Sequence, residues 1–95
     1  MRSLVSADVA PDLLAVLGEA LSNASRHAEA TRIEVLLVVG DEINLTVTDD
    51  GQGIGDHVAE SGLGNMRERA HKHGGKFVVV SAPGEGTTIT WIVPV

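Results

Sequence analysis

Residues Ile43 to Asp49 (INLTVTD) alternate without a break, and this alternation constrains the fold more than any other feature of the chain. Ile43, Leu45 and Val47 point one way, and Asn44, Thr46 and Thr48 the other. That is the period of a strand with one buried and one solvated face. Asp49 continues the inward series. A carboxylate at the end of a buried row needs a partner, because an unpaired charge is costly to bury. The preceding RIEVLLVV (32–39) is rich in β-branched residues and is separated from this strand only by Gly40-Asp41-Glu42, so the two read as a hairpin. KFVVVS (76–81) and TTITWIV (87–93), joined by the turn APGEG (82–86), make a second pair. In the last strand Thr87 shares parity with Ile89, Trp91 and Val93, which places its hydroxyl on the core face.

A helical period stands ahead of each pair. Pro11 suits a first turn, and Leu13, Leu14, Leu17, Leu21, Ala24 and Ala28 fall on one face at 100° per residue, which predicts a helix over 11–28. Leu63, Met66 and Ala70 predict a shorter helix over 63–73, with Gly74 and Gly75 to close it. Between them, residues 50–62 carry Gly51, Gly53, Gly55 and Gly62 and few large apolar groups, the composition of a loop. Helix, two strands, loop, helix, two strands within 95 residues is one domain. The order predicts an α+β fold: a two-layer sandwich with helices on one face of a mostly antiparallel sheet.

Composition removes several function classes. The chain has no cysteine, which excludes disulfides, thiolate zinc sites and thiol nucleophiles and is compatible with a cytoplasmic location. Seven Lys and Arg stand against thirteen Asp and Glu, a net charge of −6, so a phosphate backbone is a poor partner and nucleic acid is not expected. Phe77 and Trp91 are the aromatic residues, too few for a base-stacking platform. No apolar run approaches the roughly 20 residues of a membrane span, and the first ten residues lack a secretory pattern, so no membrane contact is expected. An acidic chain that binds a nucleotide must bring a counter-cation to it, which points to a divalent metal riding with the phosphates.

Three groups of residues suit that chemistry. Glu19, Asn23, Arg26 and His27 lie three or four residues apart on the polar side of the first helix, where their side chains meet. A carboxylate and a carboxamide oxygen are hard ligands for Mg²⁺; the same spacing also describes a solvated helix face. Asp49, followed by Asp50-Gly51-Gln52-Gly53, puts a carboxylate beside glycines that let a flat ligand approach, and an adenine amino group would satisfy it. Equally, Asp49 could cap its own turn. Gly62-Leu63-Gly64 feeds a helix N-terminus, whose free amides attract an anion. Competing motifs fail: Asp49 and Asp50 would repel a dinucleotide pyrophosphate, no P-loop sequence is present, a calcium loop from Asp49 would meet Ile54 where glycine is needed, and His71 and His73 are wrongly spaced for a zinc pair.

Taken together, these residues resemble a known family. Glu19-x-x-x-Asn23-Ala24-x-x-His27-Ala28 resembles the asparagine box of sensor histidine kinases, Asp49-Asp50-Gly51-Gln52-Gly53 their first glycine box, Gly62-Leu63-Gly64 their second, and Gly84-Glu85-Gly86-Thr87 their glycine–threonine box. All four occur in order and cover most of the chain. The resemblance implies the GHKL (Bergerat) ATP-binding fold, shared with gyrase, Hsp90 and MutL, with a mixed, mostly antiparallel sheet. Residues 19–28 (EALSNASRHA) and 62–70 (GLGNMRERA) are most similar to the nitrate-sensor and DesK-like subfamily, and the chain as a whole resembles the mycobacterial oxygen- and redox-sensing dormancy kinases.

By motif position, the resemblance implies ATP and Mg²⁺ as cofactors. Asn23 would ligate Mg²⁺, and Glu19 would be catalytic, orienting a metal-bound water. Asp49 would accept the adenine amino group, with Thr87 supporting it and Gly51 and Gly53 lining the pocket. Gly62, Leu63 and Gly64 would lie by the phosphates, with Arg26 and His27 on the same side. The implied partners are the dimerisation domain that carries the phosphoacceptor histidine and, indirectly, a response regulator. That domain's helix pair is not among these residues, and none of His27, His57, His71 or His73 sits in one, so the chain reads as a catalytic half excised from a longer protein. There is no separate phenylalanine box, and the lid, Ile54 to Ser61, is short. The expected function is phosphoryl donation from ATP to that histidine, the isolated domain transferring nothing by itself. The alternatives are a binding module with vestigial nucleotide binding and an anti-sigma-factor-like serine kinase.

Overall fold

Helix α1 (Ala10–Arg26) is followed by strands β1 (Ile33–Val39) and β2 (Glu42–Asp49), helix α2 (Leu63–Lys72), and strands β3 (Lys76–Ala82) and β4 (Gly86–Pro94). The computed structural model describes residues 8–26, 30–53 and 62–95. Each expected element forms, with its ends displaced by a residue or so; the expected last turn of the first helix and the lid fall outside the described residues.

The sheet order is β1-β2-β4-β3, and all three ladders are antiparallel. Both helices lie on one face, α1 chiefly on β2 and α2 on β3 and β4, which is the expected α+β sandwich. The register stacks the core in rows across the sheet. One row is Leu37, Leu45, Trp91 and Phe77; the next is Val35, Val47, Ile89 and Val79. Trp91 is fully buried, and its indole N–H donates to the Met66 carbonyl at 3.1 Å, so one side chain both fills the core and fixes α2 over β4. The C-terminus of α2 closes as a Schellman motif: the Gly74 amide donates to the His71 carbonyl and the Gly75 amide to that of Ala70.

The buried face of α1 differs from the one the leucine spacing predicts. Val9, Leu13, Val16, Ala20 and Ala24 are buried, whereas Leu14 is 66% and Leu21 37% exposed. Ala20 and Ala24 let the helix backbone come close to the sheet. That turns the helix so that its central buried residue is Val16, and Leu14 and Leu21 then sit far round the helix. The hairpin also departs from a simple one-faced pattern. β2 buries Ile43, Leu45 and Val47 as expected, but β1 is an edge strand with Val35, Leu36, Leu37 and Val38 all about half exposed or more. Among the described residues no helix packs substantially over β1.

Candidate functional site

The apolar core face ends in a polar row. Asp49 of β2 stands directly opposite Thr87 of β4, and Thr87 stands opposite Ser81 of β3. Strand parity thus puts the Thr87 hydroxyl where the sequence reading expects it. Thr87 is 7% exposed, and its Oγ1 lies 3.0 Å from Ser81 Oγ. The carboxylate of Asp49 accepts the Gly51 amide through Oδ1 at 2.8 Å, its one side-chain hydrogen bond among the described residues. Asp49 therefore caps its own turn through one oxygen, and its other oxygen accepts no hydrogen bond among the described residues.

Backbone presses closely around this row. Gly86 has φ +84°, and a Cβ there would collide with the Asp49 carbonyl, so only glycine lets the two strands meet at the pocket's edge. Gly51 and Gly53 are buried beside it, and a Cβ on Gly53 would lie 2.8 Å from the Ala82 carbonyl oxygen and 3.0 Å from Ser81 Oγ.

The neighbouring Asp50 has a different task. Its Oδ1 accepts the amides of Thr31 and Arg32, each at 2.9 Å, and its Oδ2 accepts the Thr31 hydroxyl at 2.7 Å. The Thr31 hydroxyl, then the Arg32 amide, hold this carboxyl below its ordinary pKa. The Ala30 amide donates to the Ala24 carbonyl, so the last turn of α1 is tied through residues 30–32 to the end of β2. Asp50 thereby clasps Thr31 and Arg32 to the end of β2.

A second group of candidate residues lies at the N-terminus of α2. Gly62 is the N-cap, with φ +71° and no side-chain cap, and the first turn holds no acidic residue. A Cβ on Gly62 would run into the Glu19 side chain, so α1 delivers its carboxylate to the start of α2. Asn23 lies one turn further along α1 and is half buried. Leu63 packs against the core and Gly64 is exposed, so what this turn offers an anion is backbone. A hollow of about 120 Å³ lies between the helices, lined by Ala15, Glu19, Asn65, Met66 and Arg69. It is well below the roughly 300–1,000 Å³ that encloses a whole small molecule. His27 and the Arg26 side chain fall outside the described residues.

The donor set fits a magnesium ion that travels with phosphate. Among the described residues no three His, Cys, Asp or Glu side chains converge on a possible metal position. Glu19 and Asn23 supply two hard oxygens, and a cation held there would draw its remaining ligands from phosphate and water, as Mg²⁺ habitually does.

Sequence reasoning missed three structural partners. Asp12, 3% exposed, accepts from Arg69 Nη1 and meets Lys72 Nζ at 3.0 Å and His73 Nε2 at 2.6 Å. His73, then Lys72, with Arg69 adding to them, outweigh burial and hold the Asp12 carboxyl well below the usual carboxylate range. Asp12 and Arg69 are 57 residues apart, and no local pattern signals their pairing. This cluster fixes α1 to α2 and makes Arg69 a structural ion-pair partner. Asp50 and Ser81 are the other two. Strand parity with Phe77 and Val79 would have put Ser81 on the core face.

Residues 8–95 match the family described as "Histidine kinase-, DNA gyrase B-, and HSP90-like ATPase". The chain is 39% identical over 95 residues to the sensor histidine kinase LiaS of Bacillus subtilis, covering 96% of this chain and 26% of that protein. It is 41% identical over 81 residues to the sensor protein VraS of Staphylococcus saprophyticus, covering 81% and 23%. The chain thus spans about a quarter of the length of these relatives. In fold it is similar to the blue-light activated histidine kinase of Erythrobacter litoralis (TM-score 0.73, 26% identity, 95% of this chain and 31% of that one). It is also similar to the ATP-binding domain of PrrB from Mycobacterium tuberculosis (TM-score 0.71, 24% identity, 88% and 67%).

Proposed function

Because the chain belongs to the histidine kinase-, DNA gyrase B- and HSP90-like ATPase family, we propose that it is the ATP-binding, phosphoryl-donating domain of a sensor histidine kinase in two-component signalling. The observations that carry this reading are two unlike places, one suited to each end of a nucleotide. A carboxylate with one committed oxygen sits in a polar row at the sheet's end. An uncapped helix N-terminus, with Glu19 against it, waits at the other. A nucleotide has the same two ends, a base edge and a phosphate chain.

In this reading Asp49 accepts the amino group of adenine and Thr87 supports it from the next strand, with Gly51 and Gly53 lining the pocket. The backbone of Gly62, Leu63 and Gly64 faces the phosphates, with Arg26 and His27 as further contacts on that side. Asn23 holds Mg²⁺ and Glu19 orients a water on it. The metal neutralises phosphate charge that a chain of net charge −6 cannot. The protein's part is mainly positioning: the γ-phosphoryl is presented in line to a histidine brought by a separate dimerisation domain.

The span of about a quarter of the relatives' length supports a single catalytic domain, residues 1–95, excised from a longer protein that acts on a response regulator. No helix among the described residues is long and apolar enough to cross a membrane. The nitrate-sensor and DesK-like assignment rests on residues 19–28 and 62–70, and the narrower likeness to mycobacterial dormancy kinases on the similarity of the chain as a whole.

Calorimetric titration of ATP·Mg²⁺ into the wild-type chain and Asp49→Asn tests the pocket. Binding by the wild type that the folded variant loses is the expected result; equal affinity would remove adenine recognition from Asp49. Adding a dimerisation domain should then yield phosphohistidine. Phosphoserine on an added protein would favour the serine-kinase reading, and binding without transfer the vestigial module.

A further inference from the structure

β1 has the sequence of a strand from the middle of a sheet, yet it stands at the edge. Val35, Leu36, Leu37 and Val38 form an unbroken apolar run, the pattern of a strand covered on both faces. All four are about half exposed or more. The opposite edge is different: β3 opens with Lys76 and buries Phe77 on the face that α2 covers. In β1, Glu34 is the one charged residue of the seven, and there is no proline or lysine to guard the edge. Two hydrogen bonds show which backbone groups lie there. The Gly40 amide donates to the Glu42 carbonyl at 3.0 Å, and the Asp50 amide to the Arg32 carbonyl at 3.2 Å. The ladder between them runs without a bulge, so the even-numbered residues of β1 turn their amides and carbonyls to β2. Those of Ile33, Val35, Leu37 and Val39 point outward, and no strand among the described residues pairs with them.

We propose that β1 is a self-association surface: a second copy of this chain pairs with it antiparallel, β1 against β1, joining two four-stranded sheets into one. A twofold axis through Leu36 is the register that pairs all seven residues. Ile33 then meets Val39 of the second copy, Val35 meets Leu37, Glu34 meets Val38, and Leu36 meets its own counterpart. The outward amides and carbonyls fall opposite one another, as an antiparallel ladder requires. Val35, Leu36 and Leu37 each gain an apolar cross-strand neighbour. The charges agree with this register. Arg32 comes to lie opposite Gly40 of the second copy, and Gly40 stands across the hairpin from Glu42 on the same face. Gly40 has no side chain, so the guanidinium can cross it to the Glu42 carboxylate, and the axis makes this ion pair twice. The helices leave the approach open, because they pack on the strands beyond β1. One strand pair buries less than the roughly 1,200 Å² of a stable interface, so the association is weak and rises with concentration or tethering. The surface uses none of the residues assigned to nucleotide binding.

Sedimentation velocity of the 95-residue chain from about 10 μM to about 1 mM should show a monomer–dimer equilibrium. Leu36→Lys sets two like charges face to face on the axis and should weaken the dimer about tenfold or more. Val80→Lys, at a similarly exposed position on the same face of the other edge strand, should leave it unchanged. Cross-linking reads the register. The chain has no cysteine, so any disulfide comes from an introduced one. Leu36→Cys should face its counterpart at about 4.5 Å between Cα atoms, within disulfide reach, and yield a covalent dimer under mild oxidation. Val38→Cys, on the same face but about 14 Å from its counterpart, should not. A chain that stays monomeric throughout overturns the proposal and leaves the edge to a strand of some other protein. A dimer that survives Leu36→Lys, that Val80→Lys weakens as much, or that cross-links through Val38→Cys as readily as through Leu36→Cys overturns it too. Failure to bind ATP bears on the nucleotide site alone.

Discussion

Asp12 and Asp49 are both carboxylates placed among apolar residues, and the structure treats them in opposite ways. Asp12 is saturated: Arg69 and Lys72 of α2 and His73, its C-cap, all reach it, and it is almost completely buried. Asp49 is half buried and receives one amide from its own turn. The contrast distinguishes a carboxylate that holds the protein together from one that the fold engages through a single amide. Satisfying a charge with protein donors stabilises the fold, and leaving one oxygen open at a polar edge costs some stability while retaining a binding contact. Asp50 shows how local the distinction is. One position beyond Asp49, it is fully engaged by Thr31 and Arg32 and acts as a clasp.

The comparison can be broken by exchanging what each residue loses. Asp49→Asn should weaken ATP binding about ten- to a hundredfold, since a charge-assisted hydrogen bond is lost, while thermal unfolding stays within a few degrees of the wild type. Asp12→Asn should do the reverse. It removes the charge that Arg69, Lys72 and His73 address and should cost about 2 kcal/mol, a fall of roughly 10 °C in Tm, with ATP affinity unchanged in the folded fraction. Thermal melts and titrations on both variants make the exchange visible; if Asp12→Asn abolished binding in folded protein, the separation of the two carboxylates would collapse.

Asn23→Ala sharpens the picture at the phosphate end. It should lower affinity about fivefold with Mg²⁺ present and by less with the metal chelated. Equal losses in the two titrations would take the metal away from Asn23.

Acid provides the mildest probe. Asp12 and Asp50 both titrate lower in the folded chain than in the unfolded one. The unfolded state then binds more protons as the pH falls, so the stability these groups contribute is intact above about pH 4 and is lost below it. Urea unfolding at about pH 7 and about pH 3 should show the gap between wild type and Asp12→Asn narrowing at the lower value. A gap of constant size would mean that the charge of Asp12 contributes nothing.

Much of this was legible in the sequence because it was local. The INLTVTD alternation predicts β2, its buried face and the inward aim of Asp49, since strand period is a property of consecutive residues. The parity of Thr87 with Trp91 likewise anticipates its place beside Asp49, and the structure pairs them directly. The burial of α1 was less legible. Leucine spacing selects an arc containing Leu14 and Leu21, but Ala20 and Ala24 decide which side can approach the sheet. Close packing rewards fit as well as hydrophobicity.

By itself, then, the chain's own order of residues determined the elements, their order, the one-domain sandwich and the four motifs that carry the family likeness, all of which depend on neighbours in sequence. Tertiary structure alone decided the contacts between distant residues. It closed Asp12 on Arg69 and brought Glu19 to Gly62. It also left β1 half exposed on both faces. The physical reason is common to all three: whether a polar or apolar group is satisfied depends on which atoms lie within a few ångströms of it, and for these residues those atoms come from other elements, across distances in the chain that no periodicity spans.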